Sequence, residues 1–549
     1  MLTGVNRRGP VPLKVIFIVA AVLFAVFLIM PMAIILIKSL AGDSGFTLGF
    51  YADILTRENF GAAFRNSVLV SAAAGILTTV LAFILAYAVN YTNINKTIKK
   101  LISVLAVVPM LLPTITYGFA IIYSFGKQGL ITMLLGRQFF DIYGVPGLMI
   151  GYVIYTLPIA FMLINNTMQY IDKKFMIVSR AMGDSKLRCF VTTVITPLLG
   201  TFAASFIQSF TLSFTDYGIP TSVAGNLNLV ANLLYNEMLG SLPNFNTGSA
   251  VAITMLLPSV ISIMLLTYLE RYNIRYNKIS VIDLEKNRAR DILFGAVSSV
   301  IIILMLSIFA VIFVVPFVEQ WPYRLTPSFE HAEEILGDPS LMSVFGHSLL
   351  TSSLTAVFGM MVVFGTAVIS ARRGVDKKLG RVFDSISLVT NTIPGMVLGV
   401  AYLLAFSGTP IQNTFFIIIV CNIIHFFSSP YLMMKNGLEK LNASWETTAK
   451  LMGDSWIKTI VRIIIPNSFS TIAEVFEYYF INAMVTVSAV IFIAGARTMV
   501  ITAKIKELQH YANFNEIFVL SIFILLTNLV MKGIIYLLSN KKINKLRTR

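Results

Sequence analysis

The sequence predicts an all-α polytopic membrane protein with about twelve transmembrane helices in two homologous six-helix halves. Three observations carry this. Apolar runs of twenty or more residues recur from end to end of the 549-residue chain. The composition is 56% hydrophobic and only 12% charged, about half the charged fraction of a soluble domain. The same landmarks also recur in both halves at a nearly constant separation. The runs are continuous rather than alternating, which argues against a transmembrane barrel. Six spans per half means that both halves enter the membrane in the same direction, related by a pseudo-twofold along the membrane normal.

The spans are expected near 15–38, 66–90, 101–125, 146–168, 199–221 and 249–269, then near 291–317, 346–371, 383–406, 414–435, 468–493 and 516–538. Gly, Pro, Asn or clustered charge marks the breaks. The first run follows Arg7, Arg8 and Lys14. It is too long for the apolar stretch of a signal peptide and has no clear cleavage site, so it reads as a retained helix. The first half is then 1–275, a linker 276–290 follows, and the second half is 291–549.

The net charge of +16 would suggest nucleic acid as a partner of a soluble protein. Here the basic residues cluster in alternate loops, so they set topology instead. Lys96, Lys99 and Lys100 follow span two, and Lys173, Lys174, Arg180, Lys186 and Arg188 follow span four. Arg271, Arg275, Lys278, Lys286, Arg288 and Arg290 follow span six; Arg372, Arg373, Lys377, Lys378 and Arg381 follow span eight. Lys541, Lys542, Lys545, Arg547 and Arg549 end the chain. Twelve spans put all of these on one side, with both termini cytoplasmic. The loop after span seven is acidic instead, with Glu330, Glu333, Glu334 and Asp338. The loop after span eleven is an exception on that side, with Arg497, Lys504 and Lys506.

The repeat is legible residue by residue. Asn66-Ser67 opens span two and His347-Ser348 opens span eight, 281 residues later. Pro113 and Gly118 match Pro394 and Gly399 at the same separation. Asn244-Phe245-Asn246 matches Asn513-Phe514-Asn515 at 269. Gly183 and Gly453 are 270 apart, so the drop from 281 places about eleven extra residues in the first half, around Gly129–Gly144.

Between spans four and five the chain reads Ser179-Arg180-Ala181-Met182-Gly183-Asp184-Ser185 and leads to Pro197. Between spans ten and eleven it reads Ala449-Lys450-Leu451-Met452-Gly453-Asp454-Ser455 and leads to Pro466. Small residues at Ser179, Ala181 and Ala449 let a short helix approach another surface closely. Gly183 and Gly453 let that helix end in a turn with positive φ. Pro197 and Pro466 are expected to open the next membrane helix, where a missing N–H costs little. Ile171-Asp172 and Leu441-Asn442 each stand twelve residues before the glycine.

The stretches 171–197 and 441–466 resemble the EAA loops of ABC importer permeases with two fused halves, and the resemblance covers nearly the whole chain. The chain departs from the family pattern in its acids: the Glu-Ala-Ala positions read Ile177-Val178-Ser179 and Thr447-Thr448-Ala449, with Glu446 one place early. Glycine to proline is 13 residues in the second loop, the family spacing, and 14 in the first. The resemblance implies that two copies of an ABC ATPase subunit dock on Ser179, Ala181, Gly183, Asp184, Glu446, Ala449, Gly453 and Asp454. It further implies a cell-membrane location, an extracytoplasmic solute-binding protein that delivers the cargo, and ATP held by the partner subunits, with no cofactor on this chain. The stretch Phe210–Ile219, with Asn228 and Asn244-Phe245-Asn246, looks like the 2-aminoethylphosphonate branch of these permeases; ferric iron and thiamine permeases share the architecture.

No Gly-x-x-x-x-Gly-Lys-Ser/Thr stretch, His-Glu-x-x-His pattern or Gly-x-Ser-x-Gly elbow occurs, so no catalytic or metal site is expected. Cys189 and Cys421 have no metal-ligand spacing and fall in different environments, which makes a disulfide implausible. The energy source is then another chain or an ion gradient, and an ion-coupled secondary transporter is the competing class.

Glu474 and Glu477 share one face of span eleven. A separation of 269 matches them to Ser205 and Gln208 in span five. Two readings stand: the four line a water-filled pathway, or the acids lie near the cytoplasmic end, solvated or paired with Arg462. Asp216 either meets the substrate or ends span five in water. Pro113 and Pro394, beside Thr114 and Thr392, either mark gating kinks or are ordinary membrane-helix prolines.

Overall fold

The computed structural model describes residues 11–547 apart from 43–44, 139, 270–286 and 373–376. Arg7, Arg8, Arg271, Arg275, Lys278, Lys286, Arg373, Arg549 and most of the expected linker therefore lie outside the described residues. Among those described, nine helices are long and apolar enough to cross a membrane: Pro12–Leu40, Glu58–Tyr91, Thr114–Leu135, Val145–Gln169, Lys186–Thr215, Phe245–Leu269, Arg288–Ser307, Pro339–Ala371 and Phe514–Ser539. Three more are pairs bent at a break. They are Lys378–Thr392 with Gly395–Phe406 (101°), Phe415–His425 with Ser428–Glu439 (58°), and Trp456–Asn467 with Phe469–Val485 (77°). Counting each pair once, the twelve fall in the expected order. Two short antiparallel hairpins interrupt the helical pattern, Ala41–Gly42 with Gly45–Phe46 and Val318–Gln320 with Arg324–Pro327.

Spans three and nine are not continuous helices. An amphipathic helix, Lys96–Leu105 or Lys377–Thr392, comes first and carries the basic residues. The chain then breaks, and Pro113 or Pro394 stands immediately before the apolar helix Thr114–Phe125 or Gly395–Phe406. Each proline takes an extended backbone conformation, so it starts a helix rather than kinking one. Within Thr114–Leu135 the first unbroken helix is Thr114–Phe125; it and Gly395–Phe406 have twelve residues each, about 18 Å, so turns and irregular backbone complete each crossing. Such backbone is tolerated only where protein or a cavity surrounds it.

Pro197 and Pro466 also behave differently from expectation. Their helices start near Lys186 and Trp456, well before either proline. A π turn precedes each, Val191–Ile195 and Ile460–Ile464, ending two residues before the proline. A third, Ala25–Ile29, stands in the same relation to Pro31. Proline removes an N–H and its ring crowds the carbonyl one turn back, and the wider π turn makes room for it.

The first span of each half packs on the other half. In span one, the Phe24 and Phe427 rings lie 4.6 Å apart and Tyr402 Oη donates to the Phe27 carbonyl at 2.6 Å. In span seven, Phe294 lies 4.5 Å from Tyr87, and Asn93 N–H donates to Asp291 at 3.0 Å. The exchange ties the halves together at both flanks. Within the second half, Gly359 of span eight leaves room for the Tyr479 ring, which a Cβ there would meet at 2.9 Å.

The extra residues of the first half sit where the repeat placed them. Residues 126–144, including the helix Leu130–Leu135, join spans three and four, whereas 407–414 make the matching connection in the second half. The repeated Ser67 and Ser348 do one job twice. Ser67 Oγ accepts from Val230 N–H at 3.0 Å, and Ser348 Oγ accepts from Ile501 N–H at 2.6 Å. The neighbours follow suit: Asn66 Nδ2 donates to the Asn228 carbonyl, and His347 Nδ1 lies 3.2 Å from the Met499 carbonyl. Each pair thus holds the start of a ten-residue helix, Val230–Leu239 or Ile501–His510, on the face opposite the repeated loops. Replacing either buried serine by alanine strands a buried N–H, which costs about 1–3 kcal/mol. Ser67→Ala and Ser348→Ala should each lower the thermal midpoint in detergent, and together lower it about additively.

Candidate functional site

The two repeated loops have the same backbone. The helices Lys174–Ala181 and Ser444–Leu451 end at Met182 and Met452, followed by Gly183 at φ +87° and Gly453 at φ +80°. Gly183 N–H bonds to the Arg180 carbonyl and Asp184 N–H to that of Ser179, at 3.0 and 3.1 Å. Gly453 and Asp454 repeat this with Lys450 and Ala449, at 3.1 and 2.9 Å. These are Schellman caps, which satisfy the last carbonyls of each helix. A Cβ on either glycine would meet no neighbour, so the positive φ alone requires glycine. Ser185 and Ser455 then cap the following helices through Arg188 N–H and Lys458 N–H.

The rest of each loop divides into a buried anchor and an exposed tip. Ser179 and Ala449 are buried, and Ser179 Oγ donates to Asp184 at 2.8 Å. Ala181 is exposed, and Met182 and Met452 are 79% and 77% exposed. Asp184 pairs with Arg188 and Asp454 with Lys458. Glu446 points inward rather than toward a docking surface. Its carboxylate meets Arg372 Nε at 2.6 Å, while Arg372 also donates to the Leu438 and Leu441 carbonyls. In the first half Lys173 takes the anchoring role, donating to the Asn90 carbonyl at 2.8 Å and lying over the Tyr91 ring.

Between the halves lies a cavity of about 370 Å³. The broken starts of spans three and nine line it with Thr114, Thr390, Asn391 and Thr392. Spans four and ten add Tyr155, His425, Ser428 and Ser429. Span five presents Gln208, Thr211, Thr215 and Asp216; span eleven presents Tyr478, Asn482, Val485 and Thr486. The Thr211 hydroxyl and His425 Nδ1 are buried without a hydrogen-bond partner among the described residues. Asp216 is 7% exposed, follows the last residue of span five, and accepts from Ile219 N–H at 2.8 Å. It therefore both ends the helix and faces the cavity.

Of the five residues expected along the pathway, the cavity gathers Gln208 and Asp216. Ser205 is fully buried beside Thr79 at 3.3 Å. Glu474 is exposed and accepts from Ser470, and Glu477 lies 3.8 Å from Lys532 of the last span. Among the described residues, neither acid lines the cavity and neither forms an ion pair with the exposed Arg462. The correction has a simple cause. Asp216 and Thr486 occupy the same place after their helices, which sets a separation of 270, not 269. The counterpart of Gln208 is then Tyr478, and a one-residue slip turns a helix by about 100°.

The family described as the binding-protein-dependent transport system inner membrane component matches residues 79–274 and 363–544. With this fold, the two capped loops and the cavity between halves, the chain belongs to that family, as a fused ABC importer permease of the inner membrane. It is 24% identical over 514 residues to a ferric transport system permease protein of Actinobacillus pleuropneumoniae, covering 89% of this chain and 73% of that protein. It is 24% identical over 510 residues to a protein named as a candidate ferric transport system permease in Haemophilus influenzae, covering 88% and 79%. A sulfate transport system permease protein of Salmonella typhimurium is 22% identical over 231 residues, 42% of this chain and 82% of that one.

The cavity geometry separates two sets of variants. Glu474→Gln with Glu477→Gln should leave substrate uptake within about twofold of wild type, because neither side chain faces the cavity. Asn482→Leu should lower uptake about tenfold at unchanged membrane abundance, as expected for one lost polar contact on the path. Uptake in proteoliposomes with the partner subunits supplied measures both.

Proposed function

We propose that this chain is the permease of a ferric iron importer, not of a phosphonate importer. The observation that carries the reading is the charge of the cavity wall. Among the described residues, its lining includes one carboxylate, Asp216, and one histidine, His425, and neither lysine nor arginine. A phosphonate dianion held in this cavity would meet no lysine or arginine and one like charge, whereas a metal cation meets carboxylate, imidazole, hydroxyl and amide groups. Relatives matching nearly the whole chain are named for ferric transport, which supports the same choice. In this reading the iron is cargo, delivered by a solute-binding protein on the face opposite the repeated loops.

The loop tips receive two ATPase subunits, one on each Schellman-capped helix. The exposed Met182 and Met452 are apolar, unpaired with this chain's core, and rigidly placed by their caps. Closure of the ATPase pair pushes both loops, and the buried Arg372 and the half-buried Lys173 carry that push into spans eight and two. The basic loops support a cytoplasmic location for this face and for both termini. Alternating access then needs only that ATP binding and cargo favour different states of the cavity.

The test is uptake of radiolabelled ferric iron by a host stripped of its own ferric importers and supplied with this chain, its ATPase and its binding protein. Iron uptake should appear, and Asp216→Asn should lower it about tenfold as charge compensation is lost. Aminoethylphosphonate uptake without iron uptake in the same cells would overturn the reading.

A further inference from the structure

On the face opposite the repeated loops, basic residues are fewer, yet Lys506 sits there over Tyr217, the residue after the cavity residue Asp216. It belongs to the helix Ile501–His510 in the second half. Its side chain is half-buried and held by groups of the protein. Lys506 Nζ donates to Gln509 Oε1 at 2.8 Å on its own helix, and to Thr221 Oγ1 at 3.1 Å in the other half. It also lies 5.7 and 5.8 Å from the ring centres of Tyr217 and Tyr235, both in the first half. Gln509 strengthens the link: its Nε2 donates to the Thr221 carbonyl at 2.9 Å, and its Oε1 accepts from Thr221 Oγ1 at 2.9 Å.

The pseudo-symmetry locates this cluster. The helices Val230–Leu239 and Ile501–His510 have equal length and begin at the two positions held by Ser67 and Ser348. Their starts differ by 271 (501 minus 230), so the counterpart of Lys506 is Tyr235. These two counterparts touch each other. Equivalent positions of two halves meet only beside the axis that relates them, and the axis is where the path runs. Tyr217, which forms part of the cage, directly follows the cavity residue Asp216. Tyr235 also reaches across to Phe492, 6.2 Å away.

We propose that Lys506 is the outer latch of this permease: a cation of one half, held by Tyr217, Thr221 and Tyr235 of the other, that closes the path on the binding-protein side. The cytoplasmic orientation of the repeated loops comes from the proposed function, and the latch rests on it. Lysine suits a latch better than leucine would. Burial lowers its pKa from the usual lysine range to about 8, because the ammonium gives up water that its partners only partly replace. The closed state is thus held by specific contacts yet remains easy to release, since the ammonium regains its hydration as the halves part. An apolar plug of equal size would gain from closure and lose from opening. The other outward basic residue on this helix, Lys504, pairs with Glu507 at 2.8 Å and does not reach the other half through that contact.

The test uses the assembled transporter in inside-out and right-side-out vesicles without ATP. The reporter is Ser488→Cys, which lines the cavity, probed with a membrane-impermeant cationic thiol reagent; Cys189 and Cys421 are buried. Lys506→Ala and Gln509→Ala should each speed labelling from outside about tenfold. Thr221→Cys with Gln509→Cys, bridged by a short bifunctional thiol reagent, should stop transport and restore it on reduction. Unchanged outside labelling in both alanine variants, or full transport by the bridged pair, would overturn the latch. Met182→Cys serves as the orientation control. If it labels from outside, the orientation fails; if it labels only from the cytoplasm and the alanine variants show no change, the latch alone fails.

Discussion

Water is absent from the hydrocarbon core, so every backbone N–H and carbonyl there must find a partner within the protein. That constraint shapes the rest of the molecule. It makes the spans helices, and it confines irregular backbone to places shielded from lipid. Spans three and nine break before Pro113 and Pro394, and both breaks face the cavity between the halves rather than lipid. The segments after spans five and eleven also leave the helix, at Asp216 and Thr486, against the same cavity. The cavity is therefore built where the chain leaves the helix.

Duplication supplies the frame, and divergence supplies direction. The loop caps at Gly183 and Gly453 are interchangeable in geometry. The anchors behind them are not: one half uses Arg372 with Glu446, the other Lys173 over Tyr91. In the cavity wall Asp216 stands where the second half has Thr486, and Lys506 meets its own counterpart Tyr235. An asymmetric ligand path needs such differences, and a fused chain can hold them because each half diverges alone. The exchanged first spans keep the halves together while they do so.

Much of this was legible in the residues. Span number and order followed from apolar runs, since a bilayer leaves few alternatives to a helix. The loops were legible because a positive-φ glycine, a capping serine and a fixed spacing are local. The eleven extra residues were legible from landmark offsets. What escaped was long-range or depended on register. The exchange of spans one and seven leaves no local mark. Glu474 and Glu477 drew attention because acids are rare in membranes, but a single-residue slip separated them from the cavity face that Tyr478 and Asn482 occupy. The resemblance of Phe210–Ile219 to the phosphonate branch is local, whereas the charge of the assembled wall involves six spans. Lys506 stood out only as an exception to the charge rule, and its partners lie nearly 300 residues away in sequence.

The central claim is that two rigidly capped loops move the two halves about the axis on which the cavity and the latch lie. Spin labels at Met182 and Met452 in the complex with its ATPase subunits test this most directly. Pulsed dipolar spectroscopy should show the distance between them shorten by roughly 5 Å or more when ATP is bound but not hydrolysed. An unchanged distance in a preparation that transports would contradict the account.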